Sequence, residues 1–441
     1  MDPSDSAPFA VHSGQVVSHG NLWSDVTAMA AQLPDRPYLF NLCENRYLFC
    51  VCLLAAAARK QICLLPPAGQ MAVILEILRD YPGAYIAREH APQQAGLEWY
   101  EVVAPSSTSM ALPPHLDWQR SAVIAFTSGS TGKPKPCAHS LNTFKTSAEM
   151  AVSSLGIAEQ QLLMLSTTPP QHMYGLETSV FWPLFSTLVL HDGRPFFAED
   201  IRQTIKTAPW PVVLATTPTH LRSLIKTDAP WHNLAGIISA TDTLSEKLAG
   251  ETSVILGQSP REIYGSTETL SFASRETLRE NYWRPYSGCR LIRGKNGQAS
   301  LESAHLPEAV QLQDSVNIDT NGRFAVLGRD QDMVKIGGKR ASLTELNRRL
   351  KDLNGVEDGV CFIQENGRLA AVVVSQLNSQ AIRLGLQPYV DEVFLPRKIH
   401  FVSAIPRNET GKLAKTELEH LLADLSSSEG LAMKSPKSDQ F

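Results

Sequence analysis

Residues 127–135 read Thr-Ser-Gly-Ser-Thr-Gly-Lys-Pro-Lys. It follows a short apolar run, residues 122–126, that is typical of a buried strand. A loop of Gly, Ser and Thr after such a strand offers backbone N–H groups and hydroxyls that can surround phosphate oxygens without steric obstruction. Lys133 and Lys135 add positive charge. The sequence therefore predicts a phosphate-binding loop, and the plainer alternative is a mobile Ser/Gly surface loop.

The spacing of the glycines sets this loop apart from the Walker-type phosphate loop. A Walker loop places four residues between its glycines and continues with Gly-Lys-Ser/Thr. Here two residues separate Gly129 from Gly132, and Pro134 follows the first lysine. The loop is therefore of another type, and the later part of the chain indicates which.

Four further stretches follow the loop in a fixed order. They are Tyr-Gly-Ser-Thr-Glu at 264–268, Asp314 eight residues before Gly322, Gly-Arg-Asp-Gln-Asp-Met-Val-Lys-Ile-Gly-Gly at 328–338, and Pro-Arg-Asn-Glu-Thr-Gly-Lys at 406–412. Together with the loop they resemble the ordered motifs of the adenylate-forming superfamily, which includes acyl-CoA and aryl-CoA ligases, peptide-synthetase adenylation domains and luciferase. The resemblance extends over nearly the whole chain, with a shortened N-terminal subdomain.

The resemblance implies an α/β fold in two domains. The larger would contain mixed and parallel sheets flanked by helices plus a small β-barrel-like part, and the smaller would be a mobile α+β domain. The expected boundaries are 1–330 for the adenylation domain with the ATP and acid sites, 331–425 for the C-terminal lid, and 426–441 for a disordered tail rich in Ser, Lys and Pro. Apolar runs that alternate with segments of helical length independently favour parallel sheet.

The resemblance also implies a nucleotide site. In it, the Tyr264 ring would stack on adenine, Thr267 would meet the α-phosphate, and Glu268 would hold Mg²⁺, as suits an apolar ring and a hard carboxylate oxygen. The Asp314 carboxylate could accept from both ribose hydroxyls. The full set of implied nucleotide contacts is Thr127, Ser128, Gly129, Ser130, Thr131, Gly132, Lys135, Tyr264, Gly265, Thr267, Asp314 and Arg329.

Three residues are implied to act in the chemistry itself. Lys412 would enter the active site during adenylation, Lys335 would belong to the face presented in the thiol step, and His172 would lie near the acyl pocket. A satisfied buried histidine is the alternative interpretation of His172. Gln331 takes the hinge position, where tolerant backbone dihedrals matter more than the side chain.

Some positions depart from the family pattern. Pro136 and Ala240-Thr241 replace glycines, and Gln331 replaces an Asp or Lys. Cys137 and His139 could form a Cys/His nucleophile pair, but no third group to orient the histidine is evident.

Composition limits the remaining possibilities. Lys and Arg number 40 against 44 Asp and Glu among 441 residues, and the net charge of −4 argues against a nucleic-acid partner. The first twenty residues lack a secretory signal, and the apolar stretch 47–58 is too short to span a bilayer. The seven cysteines are odd in number and scattered. We expect reduced, mostly buried thiols in a cytoplasmic protein with no transmembrane segment.

Local signals predict individual elements. Ser140 is the expected N-cap of one helix, Thr217 or Pro218 opens another, and residues 343–351 form a third. Strands are predicted at residues 122–126, 162–165, 187–190, 212–215, 236–240, 253–256, 360–364, 369–374 and 399–402. Asn-Gly pairs predict hairpin turns, at residues 296–297 and 321–322.

The expected activity is ATP-dependent conversion of a carboxylic acid, with an aryl acid favoured, to an acyl-adenylate and pyrophosphate. Transfer to the phosphopantetheine thiol of CoA or an acyl carrier protein would follow, with release of AMP. Three alternatives stay open: a medium- or long-chain fatty acid ligase, a luciferase-like oxidase or adenylation-only enzyme, and a nucleotide-binding regulator. Expected cofactors are ATP and Mg²⁺ with CoA or phosphopantetheine as acceptor, and the oligomeric state is open.

Overall fold

The computed structural model describes residues 5–67, 71–90, 97–103, 111–128, 134–227, 230–294, 298–329, 333–336, 339–364, 366–407, 413 and 415–432. The chain divides into two compact units. The first consists of Met1–Ala240, Leu248–Leu312 and Ile318–Phe324, and the second of Thr241–Lys247, Gln313–Asn317 and Ala325–Phe441.

Most strands belong to the first unit. In chain order they are β1 (Pro8–His12), β2 (Gln15–Ser18), β3 (Tyr38–Asn41), β4 (Ile62–Leu65), β5 (Tyr85–Arg88), β6 (Trp99–Glu101), β7 (Ser121–Ser128), β8 (Pro134–Ser140), β9 (Leu163–Ser166), β10 (Val189–His191), β11 (Val212–Thr216), β12 (Leu234–Ser239), β13 (Pro260–Ser266), β14 (Leu270–Glu276), β15 (Arg284–Pro285), β16 (Cys289–Arg293), β17 (Ala299–Ser303) and β18 (Val310–Gln311). The strands after them are β19 (Asp314–Ile318), β20 (Phe324–Arg329), β21 (Met333–Ile336), β22 (Lys339–Ser342), β23 (Val356–Ile363), β24 (Leu369–Ser375) and β25 (Lys398–Phe401).

Helices connect most of the parallel strands. In chain order they are α1 (His19–Ala30), α2 (Arg46–Ala58), α3 (Met71–Asp80), α4 (Leu141–Ser154), α5 (Met173–Leu176), α6 (Trp182–Leu184), α7 (Ala198–Thr207), α8 (Pro218–Leu224), α9 (Glu246–Leu256), α10 (Leu343–Asp352), α11 (Ser379–Leu386) and α12 (Lys415–Ala432). A π-helical turn, Glu177–Phe181, joins α5 to α6, and a short 3₁₀ helix covers Glu392–Phe394.

Two large sheets form the first unit. One has the strand order β15-β14-β13-β12-β11-β9-β10-β1-β2 and is parallel from β13 to β1 with antiparallel strands at both edges. The other has the order β6-β5-β3-β4-β7-β8, and only its last pair is antiparallel. These mixed sheets with crossover helices confirm the α/β prediction.

Helix starts follow the local signals in the sequence. The Ser140 side chain accepts from the Thr143 N–H at the start of α4, as its N-cap role predicts. Thr217 caps α8 in the same way, and Pro218 occupies the first helical turn. The apolar stretch 47–58 is the buried helix α2, as predicted. Among the described residues, no helix is both long and apolar enough to cross a lipid bilayer.

The strand predicted at residues 253–256 is wrong, because this segment is the last turn of α9. Leu248, Thr252 and Leu256 are buried at a spacing of four residues, which is the period of a helix face. Val254 is 85% exposed. The β-branched Val-Ile pair favoured a strand locally, and packing of the opposite face against the core overrode that preference.

The later strands follow the predicted hairpin pattern. Strands β16, β17 and β18 form a three-stranded antiparallel sheet. Gly322 has φ +78° in the turn between β19 and β20, which confirms the Asn-Gly prediction there. The pair at 296–297 lies outside the described residues.

The second unit contains the sheet β23-β24-β25, the hairpin β21-β22 and the helix α10, which confirms the strands and helix predicted for this part of the chain. The disordered tail predicted to start at Ser426 is corrected in its first part, because helix α12 continues to Ala432; residues 433–441 lie outside the described residues.

All seven cysteines are free thiols, and five of them are buried, as predicted.

Candidate functional site

The predicted phosphate loop connects two paired strands. Strand β7 pairs with β4 on one side and with β8 on the other, and the register places Thr127 opposite Lys135. Thr127 is half-buried and Lys135 is exposed. Residues 129–133 lie outside the described residues, so Gly129, Ser130, Thr131 and Gly132 stay predictions. The hairpin thus brings both ends of the predicted loop together.

The second motif forms a tight turn between β13 and β14. The Ser266 N–H donates to Thr269 Oγ1 at 2.9 Å, and the Thr269 N–H donates to Ser266 Oγ at 3.2 Å. At Gly265 a Cβ atom would lie 2.0 Å from the Leu270 carbonyl oxygen. Only glycine fits there, so the backbone of β13 approaches β14 closely just before Thr267 and Glu268.

Tyr264 belongs to an aromatic cluster in the first unit. Its ring centroid lies 5.2 Å from that of Trp283 and 5.4 Å from those of Phe272 and Phe324. Three neighbouring rings restrict the orientation of the half-buried tyrosine. Such a fixed ring is suited to stacking against a flat heterocycle.

Cys137 and His139 lie two residues apart on β8, but they are not arranged as a nucleophile pair. Their Sγ and Nε2 atoms are 3.3 Å apart, and His139 Nε2 is also 2.7 Å from the Thr267 carbonyl oxygen. A carbonyl only accepts, so this nitrogen carries a proton and cannot receive one from the thiol. Burial and the nearby Glu268 carboxylate raise the pKa of the Cys137 thiol to about 11.

His172 is the N-cap of α5. Its Nδ1 accepts from the Tyr174 N–H at 3.3 Å, so the neutral imidazole carries its proton on Nε2. Gly175 packs against the preceding loop so closely that a Cβ would lie 2.1 Å from the Pro169 carbonyl oxygen. The Tyr174 hydroxyl is within hydrogen-bond distance of the carbonyls at the ends of β11 and β12, at 3.1 and 2.9 Å. His172 therefore lies at the carboxyl edge of the parallel strands, where α/β folds bind ligands.

Glu177, in the π-helical turn, is a buried carboxyl that the sequence did not point to. It accepts from the N–H and hydroxyl of Ser271 at 2.9 and 2.7 Å and from the Ser147 hydroxyl at 3.5 Å. Burial raises the pKa of this carboxyl to about 7, although these hydrogen bonds favour the charged form. Glu177 thus links α4, the π turn and the strand that follows the Tyr264–Glu268 motif.

Arg46 is a second buried charge without a sequence signal. Its guanidinium donates to the carbonyls of Ser166, Thr168 and Gly193 and to the Ser179 hydroxyl. Burial lowers the pKa of Arg46 to about 9. These bonds tie the loop after β9 and the π turn to the N-terminus of α2.

The remaining predicted residues follow β12 or belong to the second unit. Thr241, where the family pattern favours glycine, has φ +78°, a conformation unusual for a β-branched residue. Asp314 is half-buried at the start of β19, and Arg329 ends β20 with its side chain outside the described part. Lys335 is exposed on β21. The hinge and lysine positions Gln331 and Lys412 lie outside the described residues.

Comparison with known proteins is consistent with these motifs. A family model described as AMP-binding enzyme matches residues 30–292, more than half of the chain. The chain belongs to this family of AMP-binding enzymes.

Two curated relatives are CoA ligases. A 4-coumarate–CoA ligase of Halorhodospira halophila is 26% identical over 310 residues, which cover 65% of this chain and 73% of that protein. An anthranilate–CoA ligase of Pseudomonas aeruginosa is 22% identical over an alignment that covers 93% of this chain and 92% of that protein. This AMP-binding enzyme is thus similar to aryl-acid ligases over much or nearly all of its length.

A solved structure shares the fold of this AMP-binding enzyme. The crystal structure of ATP-bound MatB from Rhodopseudomonas palustris superposes with a TM-score of 0.79 at 19% identity. The match covers 95% of this chain and 97% of that chain.

Proposed function

We propose that this protein activates a carboxylic acid with ATP, forming an acyl-adenylate and pyrophosphate, and then transfers the acyl group to a thiol with release of AMP. One observation carries the proposal. The hydrogen bond from His139 to the Thr267 carbonyl joins β8, which follows the predicted phosphate loop, to the turn that carries the predicted adenine and metal motif. Two motifs that lie far apart in the sequence therefore meet in the first unit.

The chemistry of the first step explains the residue types. A carboxylate oxygen attacks the α-phosphorus, the bond from that phosphorus to the bridging oxygen breaks, and pyrophosphate leaves. Both reactants are anions, so positioning and positive charge must provide most of the catalysis. We assign the β- and γ-phosphates to the loop at 127–135, the α-phosphate to Thr267 and the developing charge to Lys412. His172 is assigned to the entrance of the acyl pocket.

The ribose and the second step involve other residues. We assign the ribose hydroxyls to Asp314 and Arg329. Lys412 is expected to act in adenylation and Lys335 in thiol transfer, with Gln331 as the hinge between the two arrangements.

The residues present suit a single Mg²⁺ ion held mainly by its substrate. Among the described residues, no group of three or more His, Cys, Asp or Glu side chains could hold a metal. Mg²⁺ is commonly bound through one or two carboxylates plus substrate phosphates, and Glu268 would supply such a carboxylate in this turn. When bound, the ion would neutralise charge on the phosphates.

The favoured acid is an aryl acid, since the relatives named above include ligases for 4-coumarate and anthranilate. The same relatives favour CoA as the acceptor, and an acyl carrier protein is the alternative thiol.

A product assay tests the proposal. The protein is incubated with Mg·ATP, hydroxylamine and single acids from aryl, short-chain and long-chain sets, and hydroxamate, pyrophosphate and AMP are measured. We expect equal amounts of the three products with an aryl acid. Release of ADP, or nucleotide turnover that no acid stimulates, would refute the first step. CoA and a phosphopantetheinylated carrier protein are then compared by thioester formation, and failure of both would refute the second.

A further inference from the structure

The backbone of the turn between β13 and β14 is held by two buried imidazoles. His139 Nε2 donates to the Thr267 carbonyl at 2.7 Å, and His305 Nε2 donates to the Thr269 carbonyl at 2.7 Å. The two histidines come from different elements, since His139 is on β8 and His305 follows β17. They therefore donate hydrogen bonds to the backbone carbonyls of the residues before and after Glu268.

A chain of hydrogen bonds fixes the tautomer of His305. Its Nδ1 lies 2.7 Å from Ser303 Oγ, and Ser303 Oγ lies 3.3 Å from Cys289 Sγ. Because Nε2 carries the imidazole proton, Nδ1 accepts the proton of the Ser303 hydroxyl. That leaves the Cys289 thiol to donate to the Ser303 oxygen. These hydrogen bonds hold the His305 imidazole in the orientation in which Nε2 donates to the Thr269 carbonyl.

Burial favours the neutral form of both imidazoles, and a neutral imidazole with its proton on Nε2 donates to a carbonyl. Burial lowers the pKa of His139 and of His305, although the bonded carbonyls raise them. The two side chains are buried, at 5% and 3% exposure. A bond of this kind is costly to lose, because the carbonyl then stays buried without its donor.

We propose that His139 and His305 are positioning residues for nucleotide binding, holding the turn so that Thr267 and Glu268 are presented to Mg·ATP. The proposal rests on the function proposed above. Neither histidine is assigned a contact with the reacting atoms. Each acts through the backbone of the turn, and a displacement of about 1 Å at such a site can cost 100-fold in rate.

Paired substitutions separate the effect of losing the hydrogen bond from the effect of changing the volume of the ring. His139→Phe keeps an aromatic ring next to Phe144, whose centroid is 5.4 Å away, but removes the donor. His139→Gln keeps an N–H donor. The same pair is made at His305. His19→Phe is the control, because His19 is a buried imidazole on α1 in the same unit and contributes nothing to the turn.

Steady-state pyrophosphate release provides the main measurement. We expect each Phe variant to raise the KM for Mg·ATP about 10-fold or more while the KM for the acid stays within about 2-fold, with each Gln variant close to wild type. Unchanged Mg·ATP kinetics in a folded Phe variant would overturn the proposal. So would an equal effect in the His19→Phe control.

Two further measurements keep the proposal testable if the wild type activates no acid. Calorimetry measures the Kd for Mg·ATP without any acid, and the Phe variants should bind about 10-fold more weakly than the Gln variants. Hydrogen exchange of peptides from the β13–β14 turn should speed up in the Phe variants alone. If both measurements leave wild type and Phe variants equal, the anchoring role is wrong whatever reaction the protein performs.

Discussion

Gly265 shows how little freedom single residues in the site have. A Cβ at this position would lie 2.0 Å from the Leu270 carbonyl oxygen, so β13 and β14 must separate to admit even a methyl group. We expect Gly265→Ala to lower adenylation about 100-fold, because the turn at 266–269 would be displaced. Pyrophosphate release under saturating acid provides the measurement.

Gly250 is the matched control for this substitution. It lies inside α9, where nothing approaches a Cβ within 4 Å. Gly250→Ala should leave adenylation unchanged and raise the free energy of unfolding by about 0.5 to 1 kcal/mol, since alanine is the better helix former. If Gly265→Ala proves as harmless as Gly250→Ala, the close approach of the two strands has no role in the activity.

Glu177 should make stability depend on pH. Burial raises the pKa of its carboxyl from the ordinary 4.5 to about 7 in the folded protein. Between these values the folded state binds more protons than the unfolded state, so this residue's contribution to stability is lost as the pH rises. Replacement by Gln removes the titration. The measured quantity is the free energy of unfolding of Glu177→Gln minus that of wild type. We expect this difference to increase by at most about 3 kcal/mol from pH 4.5 to pH 8.

Urea denaturation of both proteins at several pH values measures this difference. Its pH dependence is the decisive quantity, because the new amide changes the hydrogen bonds to Ser271 and Ser147 at every pH. A difference that stays constant over this range would mean that the Glu177 carboxyl titrates normally.

At the scale of elements, α9 shows how one segment can satisfy two local patterns. Residues 253–256 have the composition of a strand, yet they close a helix whose buried face includes Leu256. Val254 is exposed on the opposite side. In a helix, Val254→Ala should raise the free energy of unfolding by about 0.5 kcal/mol, because alanine has the higher helix propensity. In a strand the same change would be destabilising.

Leu256→Ala is the companion variant for this element. Its side chain is buried, so truncation should cost about 2 to 4 kcal/mol. Denaturation midpoints of the two variants and wild type provide the comparison. A loss of stability in Val254→Ala would contradict the helical assignment of this segment.

At the scale of the whole molecule, the proposed function divides two half-reactions between two lysines. We expect Lys412→Ala to lower pyrophosphate release by about 100-fold or more, since it removes a positive charge from the phosphoryl transfer. Lys335→Ala should leave that step intact and slow thioester formation. Pyrophosphate release and thioester formation are measured separately, with a trapped adenylate as the starting point for the second step.

The reverse pattern would contradict this division of labour. If Lys412→Ala released pyrophosphate normally while Lys335→Ala did not, the roles of the two lysines would have to be exchanged. Lys351→Ala is a useful comparison, because Lys351 pairs with Asp242 at 2.8 Å within the second unit and is not assigned to either step. This variant tests whether losing a lysine that is not assigned to either step also slows pyrophosphate release or thioester formation.

Much of the fold could be predicted from local sequence. Ser140 and Thr217 cap helices because their side chains can bond to backbone N–H groups within one turn, and such signals need no knowledge of the rest of the chain. Strand β7 and the Asn321-Gly322 turn were evident for similar local reasons. The segment at 253–256 was not, because its local preference and its packing disagree.

The stretches at 127–135 and 264–268 could be picked out from the sequence, the first from its Gly, Ser and Thr residues and both from their resemblance to the ordered motifs of a known superfamily. Their assignment to phosphates and a metal stays a prediction. Only the tertiary structure decided what holds these motifs together. His139 and His305 meet the turn through bonds between residues far apart in the chain, and Glu177 does so from a π turn. Such contacts depend on which buried groups face one another after packing, and no local pattern encodes that.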